Sequence, residues 1–335
     1  DPNNGRVILK IGEAYLGLGD IDKAISFFKK AIWLEPRLVD AWHMLGRIYG
    51  GQGKYKVSIQ FYKKALALDR DRPDILVELG KIYEAAGDIK EAIRCYRDAL
   101  KLNKELYEIW YRLGILLMRE GDIEEAISAL KTASQHLNDR YDIWKSLGDA
   151  YRRASKFDDA VKCYMNALKL APGSSELWLY LAELYGEMGR VEDAIECYRR
   201  AIDLDPGSKD AWLGLARFYK TIQNYDEAIR CYDYVVELDP EDTNILVEIG
   251  ELYIYLGMHD KAIELYLKAA KKIKKGSFYF KRMLGVLGGL AEEEINAIVK
   301  ALDKFIDSPH CRRFYKYGRE LKCGKMGVEL EECYR

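Results

Sequence analysis

The chain has 335 residues, 49% of them apolar and 32% charged, with a formal net charge of -1. That balance gives no general attraction to nucleic acid or to an acidic membrane surface. No uninterrupted apolar stretch approaches the ~20 residues that span a bilayer, so no nucleic-acid or membrane role is expected.

The first residues already carry a period of 34. Asp1-Pro2 falls one step before Glu35-Pro36. Residues 1–4 therefore read as the remnant of a preceding repeat, and the chain as a fragment with more protein upstream. Residues 5–38 form the first full unit. Ile8, Ile11 and Tyr15 recur at spacings of three and four, one face of an amphipathic helix. Gly19 is placed to close that helix in the left-handed conformation, and Asp20 to start the next. Ala24, Phe28 and Ala31 mark one face of a second helix, which Pro36 ends. Later units add sharper start signals. Asp88 with Glu91, and Asp122 with Glu125, have capping-box spacing.

Eight such units begin at 5, 39, 73, 107, 141, 175, 209 and 243 and run to 276. Small residues recur in the first helix at Gly12, Gly46, Gly80, Gly114, Gly148, Ala182, Ala216 and Gly250. A second small series runs Ala24, Ser58, Ala92, Ala126, Ala160, Ala194, Ala228 and Ala262. Both permit the two helices of one unit to approach closely. Bulky side chains fill the space around them, with Trp42, Trp110, Trp144, Trp178 and Trp212 at one position and Tyr62, Tyr96, Tyr164, Tyr198 and Tyr232 at another. One unit cannot bury both of its faces, so stacking is obligatory.

Trp144, Leu147, Gly148, Tyr151, Ala160, Tyr164, Ala167 and Pro172 spell out a pattern that resembles the tetratricopeptide repeat family. The resemblance covers residues 5–276 and implies an all-α fold, a right-handed α-solenoid superhelix of stacked antiparallel helix pairs. Departures are local: Ser58 for Ala, Leu117 and Leu130 for aromatics, Val235 for Ala, and Arg70, Lys104, Asn138 and Lys274 for the closing Pro. They read as variation in packing and turns.

The end of the array changes character. Gly285 follows Gly250 by 35, and Gly288 and Ala301 stand where aromatics are expected. Residues 277–309 read as a degenerate ninth helix pair and 310–335 as a C-terminal capping helix or tail, or else as a docking surface for another subunit. His310, Cys311, Cys323 and Cys333 lack the short spacing of a zinc knuckle, and no metal is expected there. Cys95, Cys163, Cys197 and Cys231 share one repeat position. Equivalent positions in stacked units lie roughly 8–10 Å apart or more, beyond the ~7 Å reach of a disulfide. They read as small half-buried residues in a reducing, cytoplasmic setting.

No catalytic motif is present. His43, His136, His259 and His310 are scattered, and there is no H-E-x-x-H, G-x-S-x-G, phosphate loop or dinucleotide fingerprint. The chain is expected to be neither an enzyme nor a cofactor binder. The resemblance implies instead a protein-interaction scaffold whose first helices line a concave groove. It places Tyr111, Arg112, Arg119, Lys145, Arg152 and Arg153 in that groove or at its edge, with Met118 among them. This basic-aromatic patch suits an acidic or phosphorylated peptide, because Arg holds carboxylate or phosphate in a bidentate manner. The same charges could instead solvate the groove and pair with nearby carboxylates. Later units turn acidic at Glu176, Glu183, Glu187, Glu248 and Glu251. The carboxylate clamp of chaperone-binding members is missing, since Lys145 is followed by Asp149, Tyr180, Asp210 and Gly214. The alternative to a peptide-binding scaffold is a self-assembly module, a homo-oligomer formed through the C-terminal units.

Overall fold

The computed structural model describes residues 4–270. The expected ninth pair, the C-terminal tail and the last residues of the eighth unit lie outside the described residues. Every described element is an α-helix, and two helices fall in each unit. The first four units hold α1 (Gly5–Gly17), α2 (Ile21–Leu34), α3 (Val39–Gly51), α4 (Tyr55–Leu68), α5 (Pro73–Ala86), α6 (Ile89–Leu102), α7 (Tyr107–Glu120) and α8 (Ile123–His136). The next four hold α9 (Tyr141–Arg153), α10 (Phe157–Leu170), α11 (Ser175–Glu187), α12 (Val191–Leu204), α13 (Lys209–Thr221), α14 (Tyr225–Leu238), α15 (Thr243–Tyr255) and α16 (His259–Ala270). The chain divides into two compact bodies, Asp1–Leu177 and Trp178–Arg335, called here the N-terminal and C-terminal bodies.

In the N-terminal body each first helix packs on its own second helix and on the one before. α3 also touches α5, and α7 touches α9, which even-numbered helices do less closely. The first helices thus form the inner layer of this body. Its core is apolar and continuous between the layers, from Tyr62 and Leu79 through Leu113 to Leu147, with a second cluster around Ile8, Phe28 and Leu45. Burial of each large side chain contributes roughly 1.5–3 kcal/mol.

The small-residue series has the contact that it predicts. A Cβ on Gly80 or Gly148 would lie 2.5 or 2.6 Å from the ring of Tyr96 or Tyr164. Ser58, a departure in the second series, is fully buried and donates its hydroxyl to the Gly46 carbonyl at 2.7 Å. That bond satisfies the only polar atom the substitution adds. The tryptophans staple the units, since the indoles of Trp42, Trp110 and Trp144 donate to the carbonyls of Pro36, Lys104 and Asn138 at 2.9–3.0 Å.

Helix ends follow the sequence with one correction. α2 stops at Leu34, ahead of Pro36, and Asp20 caps it by accepting from the Lys23 amide. Asp88 and Asp122 occupy the N-cap positions of α6 and α8 but make no side-chain capping bond. In the second case the partner carboxylate is engaged elsewhere, because Glu125 receives two bonds from Arg97 of the preceding unit, at 2.6 and 3.0 Å.

In the C-terminal body α13 packs on α14 and α15 on α16. Glu248 in the middle of α15 accepts from Arg217 at 2.7 and 2.9 Å and from the Tyr232 hydroxyl at 2.9 Å.

Candidate peptide-binding groove

The six candidate residues lie on two inner helices of one body. Tyr111, Arg112 and Arg119 belong to α7, and Lys145, Arg152 and Arg153 to α9. Helical spacing aligns Arg112 with Arg119 two turns on, and Lys145 with Arg152 likewise.

Charge along the first helices from α3 to α9 matches the helix dipole. Acidic side chains occupy the first turns, at Asp40, Asp74, Glu108 and Asp142. Basic ones occupy the last turns of α7 and α9, at Arg119, Arg152 and Arg153. Both placements complement the partial charges of the helix ends. The inner surface therefore has an acidic rim along the helix starts and a basic rim along the ends of α7 and α9.

The acidic rim is clamped. Arg72 bridges Asp40 at 2.9 Å and Asp74 at 2.7 Å, and Arg140 bridges Glu108 and Asp142 one double step later. Hydrogen bonding from Arg72 holds the Asp74 carboxyl below its ordinary range. Asp142 would be raised by burial, but the bonds from Arg140 and nearby amides hold it low as well. The guanidinium of Arg140 also sits 5.1 Å over the Tyr111 ring, so Tyr111 is already engaged.

The middle of the patch is compensated within the protein. Arg112 faces Glu84 at 3.5 Å and Glu108 at 3.9 Å. Lys145 faces Asp149 at 3.6 Å and Glu176 at 3.9 Å. Tyrosines from the second helices steer these carboxylates, Tyr96 donating to Glu84 at 2.9 Å and Tyr164 to Asp149 at 2.6 Å. Sequence reading missed Arg72, Arg140 and this tyrosine–carboxylate layer. The 34-residue step was the available signal, since Arg72 and Arg140, like Asp74 and Asp142, are two periods apart.

The basic rim is more open. Arg119 is exposed and makes no ion pair or hydrogen bond among the described residues. Arg153 is exposed and spends one nitrogen on the Met118 carbonyl at 3.0 Å, leaving further donors on its guanidinium. Arg152 beside it is half-buried and, unlike Arg119, is engaged within the protein. Met118 is buried in the core and lines nothing.

Among the described residues no cluster of His, Cys, Asp and Glu is placed to hold a metal ion. No described helix is long and apolar enough to cross a membrane. The thiols of Cys95, Cys163, Cys197 and Cys231 are buried, and burial pushes them up to about 11, 12, 12 and 11.

A family model described as tetratricopeptide repeat matches residues 77–135, 146–208 and 219–277, more than half of the chain. Related repeat models match 5–37, 46–87 and 187–233. No match is found among curated protein sequences. Among solved structures, the C-terminal part of a repeat-containing protein from Cytophaga hutchinsonii is 17% identical, over 71% of this chain and 97% of its own, with a TM-score of 0.59. A tetratricopeptide repeat protein from Parabacteroides merdae is 17% identical, over 74% of this chain and 98% of its own, with a TM-score of 0.54. These likenesses concern the fold.

Proposed function

This chain belongs to the tetratricopeptide repeat family, and from that premise we propose that it is a non-catalytic scaffold whose inner surface holds an acidic or phosphorylated partner segment. The segment runs across the ends of α7 and α9, where Arg119 and Arg153 meet its carboxylates or phosphates, beside an Arg152 that is engaged within the protein. The observation that carries the reading is the contrast within the patch. Arg112 and Lys145 face carboxylates of the protein itself, while Arg119 is exposed without one. Arg112, Lys145 and Tyr111 shape the floor rather than supply the free charge. Such charge sets partner choice and association rate.

The test is affinity capture with identification of the bound protein, followed by the triple variant R119E/R152E/R153E. The reversal should lose that partner while the helical spectrum is kept and the melting temperature falls only modestly, through the lost helix-end charges and the Arg153 bond to the Met118 carbonyl. Undiminished capture by the variant would overturn the groove reading.

A further inference from the structure

The second-helix layer of the N-terminal body carries a cleft of about 510 Å³ between α4 and α6, reaching down to α5. Leu66, Leu76 and Leu102 supply apolar walls. Lys63, Arg70, Arg94 and Lys101 line it against one carboxylate, Asp98.

Two departures from the repeat meet in this cleft. Leu76 stands at the position of Trp42 and Trp110, and Arg70 at the position of the closing Pro36. In the units on either side an indole donates to the closing residue's carbonyl. Here Leu76 has no indole to offer, and the closing residue itself brings a guanidinium. The equivalent cleft of the C-terminal body shows what is missing. Four periods on, Trp212 and Tyr234 take the places of Leu76 and Asp98 and stack at 4.5 Å. That cleft, of about 530 Å³, sets Arg199, Arg200 and Arg230 against Glu196, Asp203 and Glu227. The volumes are alike; the aromatic floor and the balance of charge are not.

Little within the protein neutralises the excess. Lys101 takes up Asp98 at 2.7 Å. The carboxylate that Arg94 reaches is Glu91, at 3.9 Å. Lys63 lies 5.8 Å over the Tyr83 ring. Arg70 is exposed and has no ion pair or hydrogen bond among the described residues.

We propose that this cleft binds an acidic peptide segment with one apolar or aromatic side chain set between carboxylates. The apolar group lies against Leu66, Leu76 and Leu102, where Leu102 is 45% exposed. The flanking carboxylates meet Arg70 and Arg94 in charge-assisted hydrogen bonds. The site belongs to the second-helix layer, and it does not rest on the reading of the inner groove.

The test is fluorescence anisotropy of the full chain with a short labelled peptide in which one tryptophan is flanked by glutamates. A counterpart flanked by lysines serves as the control. The glutamate peptide should bind, and R70E/R94E should weaken it about tenfold or more, the equivalent of roughly 1.4 kcal/mol. The loss caused by R70E/R94E should be as large in an R119E/R152E/R153E background, which separates this cleft from the groove. Both positions are exposed, and a helical melt checks folding. The proposal is overturned by no binding, by equal binding of the lysine peptide, by insensitivity to R70E/R94E, or by a single-stranded oligonucleotide binding more tightly through the same residues.

Discussion

Gly148 and Tyr164 meet with no space between them, since a methyl group on Gly148 would come within 2.6 Å of the tyrosine ring. Tyr164 is fully buried, so neither side can yield cheaply. Gly148→Ala should lower stability by about 1–3 kcal/mol, read as a lower melting temperature. Gly51→Ala is the control, because nothing lies within 4 Å of its added carbon. It should be neutral or gain up to about 1 kcal/mol.

Ser155 and Gln223 occupy the left-handed turn position that glycine fills elsewhere, with φ of 57° and 62° against 79° at Gly19. A side chain there costs roughly 1–2 kcal/mol, partly offset by the greater chain entropy that glycine loses on folding. Ser155→Gly and Gln223→Gly should each raise the melting temperature. A fall would show that their side chains stabilise the turn.

Glu248 gives the C-terminal body an acid-sensitive contact. Burial alone would raise its carboxyl, yet the bonds from Arg217 and Tyr232 hold it below 4.5. A carboxyl depressed in the folded state stabilises fully above its unfolded pKa, and that stability is lost as pH falls through the folded one. Arg217→Met leaves the burial and removes the main compensation. Acid unfolding, followed by circular dichroism, should then begin at a higher pH than in the parent.

Cys95, Cys163, Cys197 and Cys231 should resist alkylation at neutral pH, because the thiolate is the reactive form and burial holds their thiols near 11 to 12. Peptide mapping after iodoacetamide should find these four unmodified in the native chain and modified in denaturant. Native labelling of any of them would show local opening of its second helix.

Much of the fold was legible in the sequence because its signals are local and repeated. Gly19 and Pro36 close helices through their own backbone chemistry, and the contact of Gly80 with Tyr96 recurs at the same spacing for Gly46 with Tyr62 and Gly148 with Tyr164. Asp88 and Asp122 do mark helix starts, but neither closes its capping box: Glu125 turns to Arg97 of the neighbouring unit, a non-local choice, and Glu91 faces Arg94 one turn on. The groove was legible as a location. Its free charges were not, because Glu84 and Asp149 are drawn to their places by tyrosines from another layer.

By itself the sequence determined that 34-residue helix pairs stack, and which residues touch inside each pair. Close packing leaves one arrangement for a glycine and a ring of fixed spacing. Only the tertiary structure decided which cations remain available. Long charged side chains choose partners by distance across units, and departures as plain as Leu76 and Arg70 acquire meaning when folding puts them on one cleft.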